Sequence, residues 1–308
     1  MLHVHVRGQV GIVHAPAKVN LFLEVLARRP DGFHEIETLI SPIAIFDTLY
    51  FSTESQGNLR LTCNWANGFL AREQATEGGQ WGPLPDSRNN LAWRAVHLFR
   101  ERAGVDLGAE IHITKRIPAE AGLGGASADA AAALVAANRL WKVDWSLSKL
   151  AALAAELGSD IPVLVSGTAS VCRGRGEQLQ PAKPANRLDL VVVKPPVGLS
   201  TADVYRHCKP AETPTAISPL LNGWKVGSAQ QVATTMCNRL QEPAEQLAPD
   251  IIQLRKTCNS LGLLGHQMTG SGSTYFGICR HAKHARQVAA KLRAMRLGEV
   301  FATTTLSH

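Results

Sequence analysis

From Lys18 to Val25 apolar side chains alternate with others. Val19, Leu21, Leu23 and Val25 fall on one face of an extended segment, and Lys18, Asn20, Phe22 and Glu24 on the other. A lysine and an asparagine inside an apolar strand break the usual pattern; an edge strand with a solvated face is one explanation, a functional pair the other. Val10 to Val25 is rich in β-branched residues and is interrupted by Pro16, which predicts two strands there. A Pro-Asp-Gly turn at 30–32 leads to a further strand region, Ile36 to Tyr50. Alternation gives way to helical spacing at Asn90 to Arg102, with Leu91, Ala95, Leu98 and Phe99 on one side. The short strand Glu110–Thr114 then runs towards a glycine turn, Gly122-Leu123-Gly124-Gly125. The helix after it is predicted from Ser127, a plausible N-cap, to Trp141, and four consecutive alanines, Ala130–Ala133, suit close packing. Trp145 to Leu157 reads as a second helix stopped by Gly158, and Ile161–Val165 and Ala169–Cys172 read as extended, with Gly167 at the bend.

The second half opens on the apolar strand Leu188–Val193. Helices follow within Pro243–Leu261, then a strand at Gln267–Met268, the turn Thr269–Ser273, a strand at Thr274–Cys279, a helix at His281–Met295 and a last strand at Glu299–Thr303. Asn64–Arg88, rich in glycine, proline and polar residues, reads as a surface excursion. The mixture predicts an α+β protein, and the change of character between 170 and 190 divides it into domains 1–175 and 176–308.

Composition narrows the partners. A chain of 308 residues with 45% hydrophobic and 19% charged content buries a sizeable core and is not disordered. Its net charge of +7 favours anionic ligands. Basic residues nevertheless form no dense run and do not interleave with aromatics, so nucleic acid is not an expected partner. The six cysteines lie far apart with no Cys-x-x-Cys pair, as for thiols in a reducing compartment. His281 and His284 stand three apart without further nameable ligands, so the sequence identifies no metal ligands. With no signal-peptide-like N-terminus and no long apolar run, the protein is expected to be soluble and cytoplasmic, without membrane contact, as a monomer or homodimer.

Four separated segments carry candidate chemistry. The glycine turn entering a helix offers free backbone N–H groups and a partial positive charge, a site suited to phosphate, although a plain loop-to-helix junction has the same look. Asp160, within Gly158-Ser159-Asp160-Ile161-Pro162, either caps a turn or accepts a proton from a substrate hydroxyl. Lys18 across a cleft would keep that carboxylate ionised and stabilise charge on a transferring phosphoryl group. Gly270 and Gly272, in Met268-Thr-Gly-Ser-Gly272, form either a second ligand loop or a tight hairpin. The Walker A, dinucleotide-binding, protein-kinase and hydrolase-elbow motifs are all missing.

Pro118 to Ala132 resembles the phosphate-binding motif of the galactokinase, homoserine kinase, mevalonate kinase and phosphomevalonate kinase superfamily. Ala15-Pro-Ala-Lys-Val-Asn-Leu-Phe-Leu23 and Arg29-Pro-Asp-Gly-Phe-His-Glu35, followed in order by Asn90-Leu-Ala, Leu157–Pro162 and Met268–Gly272, are similar to its 4-diphosphocytidyl-2-C-methyl-D-erythritol kinase family. The resemblance spans residues 14 to 280. It implies a two-domain small-molecule kinase fold, with an N-terminal domain like domain 2 of ribosomal protein S5, a C-terminal ferredoxin-like domain and the active site in the cleft between them. It implies ATP as donor, Mg²⁺, and a small-molecule acceptor, a cytidine-diphosphate-linked methylerythritol. By the same resemblance Lys18 and Asp160 are the catalytic pair. Pro118, Gly122, Leu123, Gly124, Gly125, Ala126 and Ser127 wrap the nucleotide phosphates. Asn20, Phe33, His34, Thr201, Tyr205, Gly270 and Gly272 face the substrate, His34 bonding the cytosine and Tyr205 stacking on it. Three positions depart from the family pattern: Ala126 replaces a glycine, Ala128 a serine and Phe33 a tyrosine.

Overall fold

The computed structural model describes residues 2–66 and 84–306. After a short edge strand, β1 (Val4–Arg7), the chain forms β2 (Val10–Arg28) and β3 (His34–Glu54), two long antiparallel strands joined by the Pro-Asp-Gly turn. Pro16 does not divide β2 as predicted. A register shift between Pro16 and Ala17 takes up its missing N–H, and the strand continues. A second shift between Asn20 and Phe22 breaks the alternation seen in the sequence. Val19, Leu21 and Phe22 therefore join one core, and Leu23 and Val25 another. β1 pairs only with Val10–Val13, yet a solvated edge does not explain the polar residues further along β2: Lys18 and Asn20 are each 3% exposed. Glu24 is wholly buried against Arg239. Burial alone would raise its carboxyl, but bonds from Arg239, Thr215 and Val25 hold it below the usual range.

Strand β4 (Leu59–Trp65) takes up the start of the expected excursion, and its stretch from 67 to 83 lies outside the described residues. Next come α1 (Leu91–Ala103), capped by the Asn90 side chain, β5 (Gly108–Lys115) and α2 (Gly125–Leu140). Helix α2 begins two residues earlier than expected. Gly124 is its N-cap, in left-handed conformation (φ 71°), so Ser127 lies in the first turn and is not the cap. Its alanines from Ala128 onwards are fully buried and let the helix lie close on β2 and β3. Helix α3 (Leu147–Ala154) is capped by Ser146 and ends with Ala155 at its C-cap, so Gly158 is not what stops it. Ile161–Val165 belongs to a helix, α4 (Ile161–Ser166), and not to an extended segment. A short apolar run does not distinguish strand from buried helix; here Pro162 sits in the first turn, where its missing N–H costs nothing. The hairpin of β6 (Ser170–Arg173) and β7 (Gln178–Pro181) completes a sheet with the path β1-β2-β3-β5-β4, β6 pairing with β3.

Between Pro181 and Asp189 the chain passes to a second sheet. Strand β8 (Asp189–Lys194) is followed by three helices with no clear periodicity in the sequence, α5 (Thr201–His207), α6 (Ser218–Val226) and α7 (Ala229–Thr235). A two-residue strand, β9 (Cys237–Asn238), returns to pair parallel with β2. Then come α8 (Gln241–Leu247), α9 (Asp250–Asn259), β10 (Gly265–Met268), β11 (Tyr275–Cys279), α10 (Ala282–Ala294) and β12 (Glu299–Thr304). The order is β10-β11-β8-β12, antiparallel throughout. Along β8, Leu190 and Val192 pack into the first core while Val191 and Val193 pack into the second, so the two sheets share a buried seam. The α+β class read from the sequence is the one observed. Among the described residues no helix is long and apolar enough to cross a membrane.

Candidate active site

A cleft of about 1110 Å³ runs between the β2–β3 hairpin, the N-terminus of α2, α5 and the turn after β10. Its centre is Lys18. The Nζ donates to Asn20 Oδ1 at 2.8 Å and pairs with Asp160 Oδ2 at 3.2 Å. Lys18 is nearly enclosed, whereas the Asp160 side chain is 34% exposed and faces the cleft. Asp160 stands at the N-cap position of α4 but makes no side-chain capping bond, so its carboxylate is free for the cleft. Asn20 is itself fixed: Oδ1 also accepts from Thr269 Oγ1 at 3.3 Å, and Nδ2 donates to Thr38 at 2.9 Å. That leaves one amide hydrogen for a ligand.

The glycine turn is tied to the same lysine, whose backbone N–H donates to the Leu123 carbonyl at 2.9 Å. At Gly122 (φ 70°) a Cβ would stand 2.5 Å from the Thr269 carbonyl, and at Gly124 2.9 Å from the Lys18 side chain. Only glycine permits this approach of β2, the turn and the 270 loop. Beyond the turn Ala126 is exposed and Ser127 half-buried on the cleft wall, at the positive end of α2. Ala128, where the family pattern has a serine, is wholly buried among core residues, so its methyl fills core space away from the cleft.

At one end of the cleft the His34 ring lies 5.1 Å from that of Tyr205, which α5 presents. Burial, then the nearby Arg28 charge, lowers the His34 pKa, so the imidazole is neutral at pH 7. Burial, reinforced by Asp160, raises that of Tyr205 and keeps the phenol protonated. Phe33 is 53% exposed, with the Arg175 guanidinium 4.8 Å above its ring. Thr201 Oγ1 meets Ser271 Oγ at 2.9 Å, and Gly270 brings the turn against Lys18.

The structure thus gathers Lys18, Asn20, Phe33, His34, Pro118, Gly122, Gly124, Gly125, Ala126, Ser127, Asp160, Thr201, Tyr205 and Gly270 around one cleft. Leu123 and Gly272 do not line it. The Leu123 side chain is in the core and only its carbonyl is used; Gly272 closes the turn by donating its N–H to the Thr269 carbonyl at 3.0 Å.

The other end of the cleft was missed in the sequence. Leu84, Pro85, Asn90 and Leu91 line it, and below them Lys115 Nζ bonds both Asp47, at 2.5 Å, and Asp129, at 2.6 Å. Burial pushes the Asp129 carboxyl well above the usual range, because one ammonium compensates two carboxylates incompletely. The signal was available: Asp47, like Lys18, is a charge within an apolar strand.

No cluster of three His, Cys, Asp or Glu side chains suited to a metal occurs among the described residues. Mg²⁺ in phosphoryl transfer needs no such cage, only one or two protein oxygens beside the phosphates. Asp129 Oδ1, buried without a hydrogen-bond partner, and the Ser127 hydroxyl fit that requirement.

Comparison with known proteins places the chain in a family. The family model described as the GHMP kinases N terminal domain matches residues 90–169, and that of the GHMP kinases C terminal matches 224–296. The chain is 42% identical to 4-diphosphocytidyl-2-C-methyl-D-erythritol kinase of Pelotomaculum thermopropionicum, covering 91% of this chain and 92% of that one. It is 34% identical to the protein of that name from Shouchella clausii, covering 94% and 92%. A crystal structure of 4-(cytidine 5'-diphospho)-2C-methyl-D-erythritol kinase superposes with a TM-score of 0.80 at 35% identity, covering 96% of this chain and all of the other. Homoserine kinase from Cytophaga hutchinsonii, at 19% identity, covers all of this chain and 98% of its own with a TM-score of 0.70, which shows a shared fold.

Proposed function

Because the chain belongs to the 4-diphosphocytidyl-2-C-methyl-D-erythritol kinase family of the GHMP kinases, we propose that it transfers the γ-phosphoryl group of ATP to the 2-hydroxyl of 4-diphosphocytidyl-2-C-methyl-D-erythritol. The observation that carries this reading is the Lys18–Asp160 pair at 3.2 Å, set between an anion-binding helix N-terminus and a histidine–tyrosine ring pair. The nucleotide phosphates lie along Gly122 to Ser127, and the nucleoside end reaches towards Asn90 and Leu91. Asp160 accepts the proton of the attacking hydroxyl. Lys18 keeps that carboxylate ionised and offsets charge developing on the transferring group. Asn20 orients the lysine first and the methylerythritol second, since most of its hydrogen-bonding capacity is already used. Neutral His34 donates to and accepts from the cytosine edge, with Tyr205 and Phe33 against its faces. Mg²⁺, held by Asp129 and Ser127 together with the phosphates, supplies charge neutralisation when bound. We assign residues up to 181 to the domain carrying the glycine turn and those from 189 to the second domain. The six free cysteines suit a cytoplasmic enzyme.

Incubating the protein with ATP, Mg²⁺ and 4-diphosphocytidyl-2-C-methyl-D-erythritol, with homoserine and mevalonate in parallel, tests the reading through ADP release. Turnover with the cytidine compound alone is expected. Turnover with another alcohol would overturn the substrate and keep the family.

A further inference from the structure

Lys194, the last residue of β8, is 4% exposed, does not line the cleft and has no part in the chemistry above. A buried ammonium is costly unless its hydrogens find acceptors. Its Nζ donates to the carbonyls of Pro195 at 2.6 Å and Val197 at 3.0 Å. Both lie in the segment 195–200 that leads from β8 into α5. Pro195 and Pro196 have no N–H to donate, so this segment is held through its carbonyls. The Val197 carbonyl accepts a second bond from Ser273 Oγ, and two residues earlier Ser271 meets Thr201. Glu120, beside the glycine turn, approaches the same segment at Gly198, where a Cβ would stand 3.4 Å from Oε2. The segment before α5, the 270 turn and the entry to the glycine turn thus converge near one ammonium.

We propose that Lys194 is a positioning residue for the cytidine substrate: by capturing the carbonyls of Pro195 and Val197 it fixes the start of α5, and so holds the Tyr205 ring against His34 and the Thr201 hydroxyl at the 270 turn. The inference rests on the reading of this end of the cleft as the cytidine pocket. It acts on one substrate selectively, because the glycine turn is also anchored to β2, away from Lys194, through the Lys18 N–H and the Leu123 carbonyl.

Calorimetric titration of the wild type, Lys194→Met and Ser273→Ala with CDP and with ADP, beside steady-state KM values, tests it. Lys194→Met is expected to raise Kd for CDP and KM for the cytidine substrate by about tenfold, with ADP and ATP changed by less than about twofold. Ser273→Ala removes one of two donors to Val197 and leaves the ammonium. It is expected to shift the same ligand by about threefold, and it carries the test if Lys194→Met does not fold. Unchanged CDP affinity in both variants, or equal loss of CDP and ADP, overturns the role of Lys194 alone. A wild type that binds ADP but not CDP overturns the cytidine pocket itself, and this inference with it.

Discussion

At the phosphoryl end of the cleft Lys18 is 3% exposed and is held by Asn20, Asp160 and, through its backbone, Leu123. At the base end Phe33 is 53% exposed, and His34, Phe33, Tyr205 and Arg175 meet through ring faces. The first is a hydrogen-bonded assembly of segments remote in sequence, with Gly122, Gly124 and Gly270 at its closest approaches. The second is a set of planar groups on a hairpin, a short helix and a loop. The contrast follows from what each end has to do. Stabilising a transferring phosphoryl group requires charges fixed before reaction, since reorganising them would add to the barrier. Holding a flat base requires area and one or two directional bonds, and rings tolerate small displacements.

The contrast breaks first if the phosphoryl end does not dominate kcat. Asp160→Asn keeps the shape but cannot accept the proton, and a fall in kcat of about 10²–10⁴ is expected, with ADP affinity within about twofold. Near-normal turnover would remove Asp160 from the chemistry. Gly122→Ala probes the tight assembly itself. A Cβ 2.5 Å from the Thr269 carbonyl, at φ 70°, should cost about 1–3 kcal/mol and lower kcat as β2 and the 270 turn separate. Thermal melting alongside turnover measures both; a variant as stable and active as the wild type would mean that the turn is not fixed there.

Predictions at the base end are smaller and fall on KM. His34→Ala should raise KM for the cytidine substrate by about tenfold or more and leave KM for ATP unchanged within about twofold. An equal rise for both would count against a base pocket. Its pH dependence has a definite sign. The folded His34 pKa is below its ordinary value, so the ring stays neutral until pH falls beneath the usual imidazole range of about 6.5. KM for the cytidine substrate should then rise on acidification in the wild type and not in His34→Ala. The unfolded chain takes up this proton first, so this group also withdraws stability on the acid side.

The same contrast governs how much was legible in the sequence. The Lys18/Asn20 pair stood out because charge and amide interrupt an apolar strand, and the glycine turn because its residues serve a close approach. The Leu157–Pro162 motif located Asp160, but Ile161–Val165 was read as extended since five apolar residues carry no period. Pro16 was read as a break because a register shift is a property of two strands together. Helices α5 to α7, seven to nine residues long, fall below the length at which periodicity is readable. Asp47, Lys115 and Asp129 come together across 68 and 14 residues of sequence, and no local pattern anticipates that contact. Tyr205 was found by resemblance alone; that it meets His34 is a tertiary fact.

Phe33 supplies the smallest effect and the sharpest check on the contrast, because the family pattern has tyrosine there. Its ring is more than half exposed and its recorded partner is the Arg175 guanidinium above its face. Phe33→Tyr adds a hydroxyl to a solvent-facing ring, buries no polar atom and leaves the stacking face intact. KM for the cytidine substrate should change by less than about threefold, with kcat unaltered, because an exposed hydrogen bond exchanges with water and contributes only about 0.5 kcal/mol. Phe33→Ala removes the face itself and should shift KM further, in line with the roughly 0.5–1.5 kcal/mol of an aromatic pair beyond its buried area. Steady-state kinetics on the two variants decides between face and edge. If the added hydroxyl moves KM as much as loss of the ring, the base end is as exacting in its hydrogen bonds as the phosphoryl end, and the division between them fails.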